Sequence, residues 1–338
     1  MKKILTITIP TYNMQEYLPR CIDSLLENED VIPYLDIIIV NDGSKDRSLE
    51  IAQTYQREYS ESITIIDKPN GNYGSCINAA LKVASGKYFK ILDADDWYDN
   101  KALTTLIAKI KDISVDMIFT AYQTVNPEQK ILKQYHIPLQ IKKGSILSIN
   151  DNNIMKLHPR TDLAMHGIAY RTQLLKDIQY TQTEGISYTD TEYVFYPLSH
   201  VKSIIFLDLT LYQYYVGRNG QTVSVSSRIQ HADNLLTIID RILKTPLFPE
   251  SCNIYYLQSE YLIQVIASYY HALLVLQRLT KENKSKLESL DIRIKKYNSH
   301  LYNLLDTIKC MGIPYIKIWR RFHFCIIPSS IYRKLKRE

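Results

Sequence analysis

The chain has no C-x-x-C pair, no internal repeat, no Gly/Ser-rich linker and no unbroken apolar run long enough to cross a membrane. Each absence excludes something. The five cysteines (Cys21, Cys76, Cys252, Cys310, Cys325) are odd in number and scattered, which argues for a reducing compartment and against a zinc site. Lys2 and Lys3 precede only the short apolar stretch Ile4 to Ile9, closed by Pro10, so a secretory signal is not expected. The longest charge-free run, between Glu260 and Arg278, is interrupted by Gln264, Ser268 and His271. It falls short of the roughly 20 apolar residues of a membrane span and reads as a buried helix. A membrane-embedded protein is therefore not expected, and a cytoplasmic one is. No nucleic-acid motif accompanies the net charge of +6.

What is present is globular. A length of 338 residues, 46% hydrophobic and 22% charged, allows one large domain and a smaller one and excludes disorder or low complexity. Tyrosine is abundant, at 27 residues. Rings that pack and hydrogen-bond at once suit a wet cleft, although strand propensity and coding bias explain the excess as well.

The first 120 residues alternate strand-like and helix-like patterns. Ile- and Val-rich runs fall at Leu5 to Ile9, Ile37 to Val40, Ile63 to Ile66, Tyr88 to Leu92 and Met117 to Phe119. Helix-length stretches separate them: Gln15 to Leu26, Arg47 to Tyr59, Ser75 to Ala84 and Lys101 to Lys111. This predicts an α/β fold with a mostly parallel, Rossmann-like sheet flanked by helices and ligand loops at the carboxyl ends of its strands. Residues 121–226 look like an acceptor-side extension, with strand-like pieces at Ile204 to Leu207 and Leu211 to Val216. From 227 the pattern is helical, over Leu235 to Leu243, Tyr256 to Leu276 and Lys286 to Ile308. The expected division is thus 1–226, itself 1–120 plus 121–226, and a C-terminal helical region, 227–338.

Four successive strand ends carry the polar residues. They are Ile9-Pro10-Thr11-Tyr12-Asn13, then Val40-Asn41-Asp42-Gly43-Ser44-Lys45-Asp46, then Asn70-Gly71-Asn72-Tyr73-Gly74 with Asn78, and Leu92-Asp93-Ala94-Asp95-Asp96-Trp97. A diphosphate leaving group develops negative charge, and a hard cation held by a few carboxylate oxygens stabilises it. An Asp-x-Asp at a strand end supplies such oxygens. Alone, each signal has an ordinary reading: Asp42-Gly43 as a turn, Gly71 and Gly74 as close approach to a helix, and the Asp93 to Asp96 run as a cap for the helix near Lys101. Their order along the chain is what selects a nucleotide-diphosphate site.

That order resembles the successive signatures of glycosyltransferase family 2, closely over about the first 100 residues and more loosely beyond. The resemblance implies a GT-A fold, Mn²⁺ or Mg²⁺ as cofactor, and an inverting transfer from a nucleotide sugar, a UDP-sugar foremost, to an acceptor hydroxyl. It further implies that Pro10 and Tyr12 line the base pocket, that Asp42 accepts from the base, that Asn72 and Gly74 belong to the donor loop, that Asp93 faces the ribose, and that Asp95 holds the metal. The family's general base is a carboxylate about a hundred residues later. Within Gly185 to Phe195, Asp190 aligns best with it; Thr189 precedes it where the family often has Glu, so Glu192 stays an alternative. Asp190 could equally cap the helix from Thr191 toward Leu198.

His166 sits where the family has an acceptor-side loop, and Gly217 to Ser224 resembles its mobile donor loop, with Arg218 offering a fork of donors to pyrophosphate. Structural readings, a lone core histidine and a surface hairpin, stand beside both. The basic, aromatic end (Tyr315 to Ile327, then Arg333, Lys334, Lys336 and Arg337) suits either an anionic membrane face with lipid-linked acceptors or a packed helix with a solvated tail. The family leads one to expect a glycan or lipid-linked glycan acceptor, a part in bacterial surface polysaccharide synthesis, and a place at the inner face of the plasma membrane. A homodimer contact through the helical tail is compatible with the sequence. Two rivals stand: a catalytically inactive nucleotide-sugar-binding scaffold, and a sugar-phosphate nucleotidyltransferase, disfavoured because Pro10-Thr11-Tyr12-Asn13 stands where that fold needs a Gly-rich basic loop.

Overall fold

The Ile- and Val-rich runs become the interior of one sheet. In the computed structural model, which describes residues 2–139, 141–152, 163–218, 221, 224–250 and 252–324, the strands are β1 Leu5–Thr11, β2 Leu35–Asp42, β3 Ile63–Lys68, β4 Tyr88–Ile91, β5 Trp97–Tyr98, β6 Met117–Val125, β7 Ile131–Tyr135, β8 Ile146–Ser148, β9 Ile168–Arg171 and β10 Ser203–Tyr215. The order across the sheet is β3-β2-β1-β4-β9-β6-β10-β5, with β7 on β6 and β8 on β10. The four strands β3, β2, β1 and β4 are parallel. Every residue of β2 is buried, as a strand covered on both faces requires. Strand β9 runs antiparallel to both β4 and β6. The two pieces expected at Ile204 to Leu207 and Leu211 to Val216 are one strand, β10, whose register shifts around Thr210.

Helices α1 Leu18–Leu26, α2 Ser48–Glu58, α3 Asn72–Val83 and α4 Asn100–Ile110 connect the first strands. Helix α1 buries Leu18, Cys21, Ile22, Leu25 and Leu26, the spacing of a single apolar stripe. The cap of α4 is Asp99, which accepts from the Ala102 amide at 2.8 Å, so the Asp93 to Asp96 run is not that helix's cap. Two short helices follow, α5 Thr172–Asp177 and α6 Asp190–Leu198.

The chain divides into two compact units, 1–218 with 250–257, and 219–249 with 258–338. Beyond α6 come α7 Val225–Gln230, α8 Ala232–Ile242, α9 Asn253–Leu274, α10 Lys281–Tyr297, α11 Ser299–Leu304 and α12 Tyr315–Phe322. The helix expected over Lys286 to Ile308 is broken at Asn298, an extended residue whose side chain caps α11 by accepting from the Leu301 amide. In the second unit Arg320, with its side chain 8% exposed, pairs with Asp291 and Asp306, donates to the Tyr302 carbonyl and stacks 3.7 Å from the Tyr302 ring. Tyr315, Ile316 and Trp319 are buried on the same helix, so the described part of the basic, aromatic segment packs as a helix. Cys325 and the basic residues from Arg333 onward lie outside the described residues. Among the described residues no helix is long and apolar enough to cross a membrane.

One carboxylate stitches β6, β9 and β10 together. Asp116, just before β6, accepts from the Arg171 guanidinium at 2.8 Å on β9 and from the Lys202 and Ser203 amides at 2.9 and 3.2 Å at the start of β10. Burial pushes its carboxyl up, but these donors outweigh that and hold it below the ordinary range. A depressed pKa contributes stability above the unfolded value, which is lost as pH falls through the folded value. Asp116→Ala should therefore cost about 2–3 kcal/mol at neutral pH, read as an earlier urea transition. The gap to wild type should shrink on acidification into the carboxylate range; a constant gap would contradict this role.

Candidate functional site

The polar loops converge at the carboxyl ends of β1, β2 and β4. The first two loops are laced together. Asn13, held at φ +53°, donates its amide to the Ser44 hydroxyl and accepts from the Lys45 amide, while Gln15 donates to Asp46 and accepts from Arg47. This leaves Pro10 half-buried at the end of β1 and Tyr12 46% exposed at the loop tip.

Asp42, at the end of β2, is 3% exposed. Its Oδ1 accepts from the Gly71 amide at 2.9 Å and is ion-paired with Lys68, and its carbonyl accepts from Asn70. Lys68 also donates to the Pro69 carbonyl and the Ser75 hydroxyl, both at 2.8 Å. Asn72 follows, exposed and held at φ +63° as the first residue of α3. Gly74 is buried one turn in, where an added Cβ would stand 2.2 Å from the Thr183 carbonyl. Close approach of α3 to the segment before Asp190 gives this glycine a packing reason. The same two segments are joined by Asn78, which donates to the Gln182 carbonyl and accepts from the Gln182 amide, and by the Gly185 amide on the Gly71 carbonyl at 2.8 Å.

Three carboxylates crowd the end of β4. Asp93 accepts from the Tyr73 hydroxyl at 2.7 Å, and its amide donates to the Tyr212 hydroxyl at 3.1 Å. Asp96, fully buried, accepts from the Tyr212 hydroxyl at 2.6 Å and from the Tyr215 amide at 2.7 Å. Asp95 accepts from Arg218 Nε at 2.8 Å, and its carbonyl accepts from Arg20 at 2.7 Å. Burial, then the charge of Asp95, pushes the Asp93 and Asp96 carboxyls up, despite the tyrosine hydrogen bonds that oppose the shift. The run is thus short of positive charge.

His166 lies against this floor. Its ring stacks 4.4 Å from Tyr214 and meets Tyr212 edge-on at 4.8 Å, with Tyr122 at 5.4 Å. Its carbonyl accepts from the buried ammonium of Lys90 at 2.6 Å. Burial, helped by the Lys90 charge, lowers the imidazole to about 3, so the ring is neutral. Burial lowers Lys90 itself to about 7. Asp93, Asp96 and His166 each offer one ligand atom within 4.8 Å of the others.

Asp190 opens α6 with its side chain exposed, two residues after Tyr188 at φ +68°. It lies on a wall crowded enough that desolvation raises its carboxyl above the ordinary range, against hydrogen bonds from the Thr191 amide and its own. Glu192 turns the other way. It is fully buried and accepts from the Thr183 amide at 2.6 Å and the Thr183 hydroxyl at 2.8 Å, anchoring the loop that carries Gln182. Asn219, Gly220, Thr222 and Val223 of the expected donor loop lie outside the described residues; Gly217, at φ +105°, precedes Arg218.

A model of the family described as "Glycosyl transferase family 2" matches residues 6–179, half of the chain and all four strand-end loops. The chain belongs to glycosyl transferase family 2. An uncharacterized glycosyltransferase of Mycoplasma pneumoniae is 30% identical over 228 residues, 66% of this chain and 71% of that protein. A chondroitin synthase of Pasteurella multocida is 35% identical over 130 residues, 38% of this chain and only 13% of that protein. The crystal structure of Staphylococcus aureus TarS 1-349 in complex with UDP-GlcNAc aligns with a TM-score of 0.67 at 19% identity, covering 94% of this chain and 87% of that one. That likeness establishes the GT-A fold, and membership of the family makes the chain a glycosyltransferase.

The motifs do not signal several contacts at this site, even for Tyr73 and Trp97, which lie inside them. Tyr73 and Tyr212 hold the β4 carboxylates, Tyr215 supplies an amide, Lys68 pairs with Asp42, and Arg20 stacks 3.9 Å over Trp97. The alternation of Tyr212 and Tyr214 along β10 is the one signal that places two rings on a common face. Tyr212→Phe should cost about 1–3 kcal/mol in thermal unfolding, because buried Asp96 loses a donor without relief from water. An unchanged melting temperature would show that the hydroxyl is dispensable to the floor.

Proposed function

We propose that this family 2 enzyme transfers a sugar from a UDP-sugar to an acceptor hydroxyl with inversion, with Asp95 holding a divalent cation and Asp190 as general base. The observation that carries this reading is the placement of Asp190 against the crowded carboxylates of β4. The Asp190 charge is felt by Asp93 and by the Tyr73 hydroxyl that Asp93 accepts from. The residues whose ligand atoms lie within 4.8 Å of one another are Asp93, Asp96 and His166, hard carboxylate oxygens with a neutral imidazole that suit Mn²⁺ or Mg²⁺; Asp95 lies between the two aspartates in sequence, its carboxylate on Arg218. A bound divalent cation supplies charge neutralisation for the departing diphosphate.

The chain's own groups divide the remaining work. Pro10, Tyr12 and Asp42 face the base at the ends of β1 and β2, Asp93 the ribose, and Asn72 and Arg218 the diphosphate. Asp190 takes the acceptor proton as the acceptor oxygen bonds to the anomeric carbon and the bond from that carbon to the phosphate oxygen breaks. Attack opposite the leaving group inverts the centre. Glu192 is ill placed as a base because both its oxygens hold Thr183 inside the fold.

The named relatives support the wider role. Staphylococcus aureus TarS is described as a poly(ribitol-phosphate) beta-N-acetylglucosaminyltransferase and the Pasteurella protein as a chondroitin synthase. By that analogy residues 1–226 form the transferase part acting in bacterial surface polysaccharide synthesis, and 227–338 a helical region for contact with the membrane face or a second copy.

Release of UDP from a panel of UDP-sugars, with water as the default acceptor, tests this function. Asp190→Asn should lower turnover by about 10²–10⁴-fold with donor affinity near that of wild type. Retained turnover would remove Asp190 as the base. The base works as the carboxylate and its pKa is raised, so activity should fall on acidification through a value above the ordinary aspartate figure of about 3.9. An acidic limb at or below that figure would contradict the assignment.

A further inference from the structure

Arg218 is the cation that the chain itself places on Asp95. The ion pair is short, 2.8 Å from Nε to Oδ2, and largely shielded, with side-chain exposures of 19% and 10%. The guanidinium is seated as well as paired, since its central carbon lies 5.6 Å from the Tyr17 ring. Tyr17 in turn lies 5.9 Å from Tyr215, whose amide holds Asp96. A second guanidinium, Arg20, is fixed alongside by the Asp95 carbonyl and by Trp97 and Tyr215, and it points its charge at the backbone rather than at the carboxylate.

Arg218 and a divalent ion would compete for Asp95, because a carboxylate already neutralised by one cation in a partly buried site holds a second cation less strongly. A ligand that must first displace an internal partner binds with its affinity reduced by the fraction of time the site is open. A diphosphate changes that balance, because its oxygens match the fork of a guanidinium and give Arg218 a new partner. We infer that Arg218 stands in for the metal at Asp95 in the free enzyme, so that metal binding is weak alone and strong once a nucleoside diphosphate draws the guanidinium away. The inference rests on Asp95 as the metal carboxylate. It adds that Arg218 has two successive partners, and that metal and donor bind with positive, reciprocal coupling.

The test uses Mn²⁺ alone, titrated into the nucleotide-free full-length protein and followed by the paramagnetic resonance signal of free Mn²⁺. Arg218→Gln removes the charge and keeps the stem; it should bind Mn²⁺ at least ~10-fold more tightly than wild type while binding UDP with Mn²⁺ more weakly. Arg218→Lys keeps a charge at the position and should stay within ~3-fold of wild type for Mn²⁺. Adding Asp95→Asn to Arg218→Gln should abolish the gain. Mn²⁺ affinity unchanged or weaker in Arg218→Gln, with Asp95→Asn still lowering it, would overturn the inference and leave the metal assignment standing. If Asp95→Asn changes Mn²⁺ binding in neither background, the metal assignment itself falls, and the inference with it.

Discussion

Three carboxylates in four residues at the end of one strand repel each other, and the architecture around them exists to make that tolerable. Asp93, Asp95 and Asp96 reach the same floor because β4 ends in a tight turn, with the Asp96 amide donating to the Asp93 carbonyl. Their oxygens are held by Tyr73 from α3, by Tyr212 and the Tyr215 amide from β10, and by Arg218 just beyond it. Residues separated by 20 to 123 positions are thereby brought to one point. Burial first, and the neighbouring Asp95 charge second, push the Asp93 and Asp96 carboxyls up, so a cation that favours their charged forms would be welcome there.

The Asp42 loop and the segment before Asp190 are joined through α3. Its first turn is tied to Asp42 by the Gly71 amide and Lys68, and its second to the Gln182 segment by Asn78 and the close packing of Gly74. Glu192 then clamps Thr183 from within. Movement of the segment before Asp190 would therefore be felt at the loop that carries Gly71 and Asn72.

Much of this was legible in the sequence, for physical reasons. Buried strands read as apolar runs at β1, β2 and β4, and the partly exposed β3 still shows as Ile63 to Ile66, so the order of their loops is visible without a structure. The Asp93 to Asp96 run and Asp190 stand out only through the order of the loops and the family resemblance, because a carboxylate at a helix end is as readily an ordinary cap. The partners of those carboxylates do not stand out. Tyr212 lies 116 residues from Asp96, and nothing local distinguishes a ring that packs from one that also bonds. Glu192 looked interchangeable with Asp190 because helical periodicity at the first turn of α6 does not say which residue faces the core. The break at Asn298 was hidden in continuous helical periodicity, because only its extended backbone reveals the cap. Arg218 was readable as a phosphate ligand, but its seat on Asp95 is a tertiary fact.

The central claim is that the β4 carboxylates bind the nucleotide through a cation. Calorimetric titration of the full-length protein with UDP, in buffer containing Mn²⁺ and then in buffer containing chelator, tests it most directly. The account predicts binding that is at least ~10-fold tighter with Mn²⁺, because without a cation the diphosphate meets an excess of like charge. Equal UDP affinity in the two buffers would contradict it.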